Sequence, residues 1–235
     1  MFFEIILAVL IASLIALDRT AIVQVMISQP IVASPIIGYL LGDFLLGLKI
    51  GIAVQLLWLP ALQIGAAIVP NSSLASLLIC IVSVVGEKLP QLSIYSAEAV
   101  CGIVFISVLP LMWIEEKIDT FVRKKNYLWF VFARNRIAEG DTSSIGVANL
   151  GGTLFFFIKN FVFLCISAFF LTNLFSIVIP HLPRKIMFSF EIFFKILPLA
   201  GISAVLGELL NRKYYFLFAT GVIIQMVIVI IYYIL

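Results

Sequence analysis

Gly65-Ala66-Ala67-Ile68-Val69-Pro70-Asn71-Ser72-Ser73 leads into the apolar run 74–85, and the reading of this stretch decides the fold. The run is a dozen residues long, whereas a helix needs roughly 20 to cross the hydrocarbon of a bilayer. A short apolar piece beside a Gly/Pro/Ser break reads as a re-entrant or broken helix. At membrane depth such backbone survives only where protein buries it or where it lines a polar cavity. Transporters build binding sites from helices of this kind.

Working outward, apolar runs occupy 2–17, 21–41, 45–69, 97–114, 150–179, 186–206 and 214–235. Of the 235 residues 63% are hydrophobic and 11% charged, and the mean hydropathy is +1.22. A soluble domain carries about a quarter charged residues, so this surface must face lipid. A membrane β-barrel shows alternating strands of about ten residues. Runs such as Leu154-Phe155-Phe156-Phe157 do not alternate. The expected fold is therefore all-α, a polytopic membrane helix bundle with broken or re-entrant helices in its first half.

Met1-Phe2-Phe3-Glu4 offers neither a basic n-region nor a following cleavage site, so no cleaved signal peptide is expected. Cys80, Cys101 and Cys165 lie scattered in apolar runs and read as small buried side chains. A net charge of +3, embedded in lipid-facing sequence, does not point to nucleic acid.

One long polar stretch, 115–141, carries Lys117, Arg123, Lys124, Lys125, Arg134 and Arg136. Basic connecting segments favour the cytoplasmic side. Three regions follow: a membrane region 1–114 with the substrate site, a cytoplasmic polar loop 115–149, and membrane spans 150–235. The segment around His181-Leu182-Pro183-Arg184 is then expected outside and Asn211-Arg212-Lys213 inside. The first region is rich in Gly, Pro and amides, the last in Phe and Ile, which separates chemistry from scaffold. Gly42-Asp43 with Gly51-x-x-x-Gln55 is faintly echoed by Gly207-Glu208 with Gly221-x-x-x-Gln225.

Ionisable groups inside a span cost about 2.5–3.5 kcal/mol at mid-membrane, so each needs a partner, water or a function. Asp18-Arg19 reads either as a surface turn or as a polar site at a helix break. Gln24, Gln29, Gln55, Gln63 and Asn71 form an amide group within one region. An amide offers both donor and acceptor without net charge, which suits sugar hydroxyls. The alternative for these amides is hydrogen bonding between helices, worth about 1 kcal/mol or less per contact. Asp18, Gln24, Gln29, Gln55, Gln63 and Asn71 are the candidate substrate-binding residues. Asp43, after Gly42, reads as a helix cap. Lys49 is placed to snorkel, Glu191 and Lys195 to pair four apart, Lys159 and Asn160 to tilt toward an interface, and His181 to sit in a solvated loop. No nucleotide loop, catalytic triad, metal cluster or cofactor signature emerges. Three functions stay open on residues alone: a permease subunit working with partners, a stand-alone gradient-driven transporter, and a non-transporting regulatory scaffold.

Residues 29–76 resemble the membrane IIC subunit of the mannose/fructose/sorbose family of sugar phosphotransferase systems. The resemblance is carried by Gln29-Pro30, Gly38-x3-Gly42-Asp43, Gly47 and Gly51. It continues through Gln55 into Gln63-Ile64-Gly65-Ala66-Ala67-x2-Pro70-Asn71-x3-Ala75-Ser76. It implies a multi-pass subunit of the bacterial plasma membrane that moves a hexose and carries no phosphoryl group itself. The implied partners are a IID membrane subunit and cytoplasmic IIA/IIB phosphocarriers, with room for a homo-oligomer. Members usually carry a glutamate where this chain has Gln55, and an acidic pair near Asp18-Arg19. An amide in place of a carboxylate keeps hydrogen bonding but loses a charge-assisted acceptor, which bears on sugar affinity and identity.

Overall fold

The computed structural model describes residues 2–61, 70–90, 92–208 and 220. Among them regular structure is entirely helical: α1 Phe2–Leu17, α2 Pro30–Leu41, α3 Phe44–Trp58, α4 Ser72–Glu87, α5 Ala97–Ala138, α6 Ser144–Val178 and α7 Arg184–Glu208. A 3-10 turn, Ile179–His181, extends α6. The all-α membrane bundle expected from composition is the architecture found.

The first four helices have 16, 12, 15 and 16 residues. At 1.5 Å per residue they reach about 18–24 Å, short of the roughly 30 Å hydrocarbon core. The segments 97–138, 144–181 and 184–207 are long and apolar enough to cross. The broken helices thus lie in the first half. The expected run 21–41 is helical only from Pro30, because an irregular loop precedes it. The run 45–69 leaves its helix after Trp58. Residues 62–69 with Gln63 and Gly65, the segment Asn211-Arg212-Lys213, and the run 214–235 apart from residue 220 lie outside the described residues, and Gly221 and Gln225 of the internal echo with them.

Helices α2 and α3 form a hairpin around Gly42, whose φ of 95° is the left-handed region that closes a helix end. Asp43 then caps α3, its side chain accepting from the Leu46 N–H at 2.8 Å. The two helices touch backbone to backbone. A Cβ on Gly47 would sit 2.5 Å from the Ser34 carbonyl oxygen, and one on Gly51 would sit 2.5 Å from that of Pro30. Small residues permit this approach where no hydrophobic force draws membrane helices together. Asp43→Ala is expected to lower stability by about 1 kcal/mol, read as an earlier thermal unfolding transition.

Helix α4 sits at the centre. Every residue from Ser73 to Gly86 is buried, and α1, α2, α3, α5 and α6 all pack on it. An apolar helix enclosed on all sides needs no exposed face, which explains its run of Leu, Ile and Val. Outward faces of α6 and α7 carry exposed Ile166, Phe170, Ile177, Phe188 and Leu199, a surface suited to lipid.

The stretch expected as a polar loop, 115–149, is helical apart from the turn 139–143. Helix α5 runs on through it to Ala138, for 42 residues or about 63 Å. The sequence holds no glycine or proline between 111 and 139, and Lys, Arg, Leu and Met favour helix. Helix α6 returns antiparallel, and Trp129 packs over Gly151 and edge-on to Phe155. Polarity here marks a helical arm.

Several local readings hold and others are refined. Glu191 pairs with Lys195 and also accepts from the Ser96 hydroxyl at 2.7 Å. Lys49 pairs with Glu98 across to α5. His181 is exposed, its Nδ1 2.7 Å from the Ile177 carbonyl oxygen. Cys80 and Cys101 are buried free thiols.

Candidate substrate site

Where α1 and α3 end, α4 begins and the 18–29 loop crosses them, the chain forms a cavity of about 470 Å³. Sites for small ligands span roughly 300–1,000 Å³. Its walls include Asp18, Arg19, Gln24, Ser28, Gln29, Gln55, Trp58 and Ser72. Four of the six candidate residues, Asp18, Gln24, Gln29 and Gln55, therefore line one space. Gln63 lies outside the described residues. Asn71 stands just behind the wall.

Asp18 holds the loop together. One carboxylate oxygen accepts from the Val25 N–H at 2.8 Å and the other from the Ser28 N–H at 3.0 Å. Between Asp18 and Ser28 the residues Val23, Gln24 and Met26 adopt φ of 63°, 57° and 69°. For residues with a Cβ, and most for branched valine, that region is strained. Strain of this kind persists only where the surroundings fix it, and it concentrates at ligand sites. The buried carboxylate supplies the fixing here.

Asn71 is the N-cap of α4. Its Oδ1 accepts from the Ser73 and Leu74 N–H groups at 3.1 and 3.2 Å and from Arg19 at 3.3 Å. That acceptor is spent on the wall. Gln29 is the N-cap residue of α2 but makes no side-chain capping bond. The Gln55 Oε1 is buried and has no hydrogen-bond partner among the described residues. A buried acceptor left unpaired costs about 1–3 kcal/mol, so a ligand donor at Gln55 would recover what folding leaves unmet. Trp58 adds an apolar face. Amides, a hydroxyl, a guanidinium and an indole around one cavity can bind a polyhydroxylated molecule by hydrogen bonds and apolar contact. They supply no nucleophile activated by a base.

The sequence matches, over residues 2–234, the family model described as the sorbose-specific IIC component of phosphotransferase systems. The chain belongs to that family. It is accordingly a membrane protein and a sugar permease subunit of a phosphotransferase system. No curated protein matches the sequence. Among solved structures, one described simply as a membrane protein aligns with a TM-score of 0.72 at 18% identity, covering 100% of this chain and 95% of the other. The cryo-EM structure of the mannose transporter ManYZ with microcin E492 aligns with a TM-score of 0.54 at 17% identity, covering 100% and 94%. At such identities these likenesses speak for the fold.

Beside the cavity this IIC chain holds a charge cluster that reading the sequence missed. Lys159 does not tilt toward an interface. It is buried, its Nζ 2.6 Å from Glu115 Oε1 and 2.7 Å from Asp119 Oδ1. Asp119 also binds Arg123 Nε at 2.6 Å. Two carboxylates and two cations so close between α5 and α6. The only signal in the sequence was a lysine in an apolar run, with its partners 44 and 40 residues away.

Proposed function

We propose that this cavity is where the IIC subunit holds the sugar, with Gln55, Gln29 and Gln24 pairing its hydroxyls and Trp58 covering an apolar face. Asp18 and Asn71 act one step back, by fixing the loop and the start of α4. The observation that carries this reading is the buried Gln55 oxygen, without a partner among the described residues, in the wall of a cavity of sugar-binding size. In this reading the chain is a multi-pass protein of the bacterial plasma membrane. It works with a IID-type membrane subunit and takes its phosphoryl chemistry from cytoplasmic IIA/IIB proteins. The ManYZ complex, named as a mannose transporter, supports a hexose-like substrate and a second membrane subunit. The basic arm of α5 is assigned to the cytoplasm on its Lys and Arg content.

Gln55→Leu separates binding from structure. Sugar affinity of the purified complex, measured by isothermal titration, is expected to fall about tenfold, the equivalent of one hydrogen bond of about 1.4 kcal/mol. The melting temperature should hold or rise, because the substitution removes an unsatisfied buried acceptor. Unchanged affinity, or lower affinity explained by a lower melting temperature, would make Gln55 a packing residue and displace the site.

A further inference from the structure

We infer that the sugar taken by this cavity carries a carboxylate, as an aldonic or uronic acid does, and that Arg19 selects it. The inference rests on the cavity being the sugar site and names the class of sugar.

Two charged side chains line the cavity, Asp18 and Arg19. They are not equivalent. Both Asp18 oxygens already accept backbone N–H bonds, and its side chain is buried. Arg19 has no carboxylate within ion-pair distance among the described residues. Its Nη1 donates to two neutral oxygens, Ser72 Oγ at 3.0 Å and Asn71 Oδ1 at 3.3 Å. A guanidinium carries five N–H donors in a planar fork, and Nε and Nη2 make no hydrogen bond among the described residues. The nearby acids are committed elsewhere: Glu115 to Lys159, and Asp119 to Lys159 and Arg123. Arg19 is thus a cavity cation that no carboxylate contacts among the described residues, with two nitrogens open to a bound ligand, while Asp18 shares its wall and Glu115 and Asp119 act on it from a distance.

Its position adds to this. Asn71 and Ser72 are the cap and first residue of α4, so the guanidinium sits at the positive end of that helix dipole. Partial burial weakens water screening there, so a carboxylate in direct contact counts for more than it would in open solvent. A neutral sugar would pair hydroxyls with Arg19 and leave it without a contacting carboxylate. A carboxylate matches both the charge and the fork geometry. The neutral amides Gln29 and Gln55 remain for the hydroxyls.

The test uses the complete permease complex, purified with its membrane partner. Gluconate, mannonate, glucuronate and galacturonate are compared by isothermal titration with glucose, mannose, galactose and sorbose. The expected result is that at least one acid binds about tenfold or more tightly than its neutral counterpart. That preference should shrink with added salt and vanish in Arg19→Gln. Arg19→Lys, which keeps the charge but not the fork, should retain part of it. Because the preference is read first on the unaltered complex, a poorly folding variant does not spoil the test. Neutral sugars binding as tightly as the acids would overturn the inference and leave the sugar-site reading standing. A preference for acids that survives Arg19→Gln in a folded complex would overturn the role of Arg19. If neither class binds, the cavity reading falls as well.

Discussion

Replacing Lys159 with methionine is expected to cost the folded protein about 3–5 kcal/mol, the penalty for leaving buried charge unpaired. The Lys159 side chain is 3% exposed and that of Glu115 2%. Their pairing at 2.6 Å is matched by the 2.7 Å contact to Asp119. Methionine fills much of the same volume, so a cavity contributes little. The loss comes from two carboxylates facing each other, of which Asp119 alone keeps a cation, Arg123. Glu115→Gln in the same chain should recover part of it, because a neutral amide no longer repels Asp119. Thermal unfolding in mild detergent, taken as a double-mutant cycle, reads both effects. A single-variant loss below about 1 kcal/mol, the range of exposed pairs, would mean that water reaches the cluster.

Gly47→Val should have the second largest effect, and it reaches the proposed sugar site without touching it. Its Cβ would meet the Ser34 carbonyl oxygen at 2.5 Å and the Cα atoms of Gly38 and Pro35 at 3.1 Å. All three are backbone atoms, so no rotamer change relieves the clash and α2 must separate from α3. Overpacking of this kind costs about 1–3 kcal/mol, occasionally more. Gln29 at the start of α2 and Gln55 near the end of α3 would move apart, so sugar binding should fall together with stability. Gly146→Val is the matched control, since a Cβ there meets nothing within 4 Å. Equal melting temperatures for the two variants would contradict the close-packed hairpin.

Much of the first half was legible because it depends on local chemistry. Gly42-Asp43 announces a left-handed helix end followed by a cap, and both are found. The break at Pro70-Asn71 announces the start of a short helix, and α4 begins at Ser72. The amides were visible as costly groups in apolar runs, and most converge on one cavity. Long-range pairing was not legible. Polarity in 115–138 suggested a loop because nothing local shows that Glu115 and Asp119 face a lysine on the next helix. Asn71 reads in sequence as a candidate for the sugar, and sequence does not reveal that its oxygen already accepts three donors. Arg19 was seen as a charge at a turn, while its neutral hydrogen-bond partners come from residues 52 and 53 positions away.

The central claim, that sugar occupies the cavity at the junction of the short helices, is tested most directly by thiol protection. With the partly exposed Cys165 replaced by serine, Ala61→Cys places a reactive thiol on an exposed residue of the cavity wall. Ser143→Cys places one in the turn between α5 and α6. The account predicts that the transported sugar slows maleimide labelling at Ala61→Cys in a dose-dependent way and leaves Ser143→Cys unchanged. Labelling at Ala61→Cys that proceeds at the same rate with saturating sugar as without it would contradict the account.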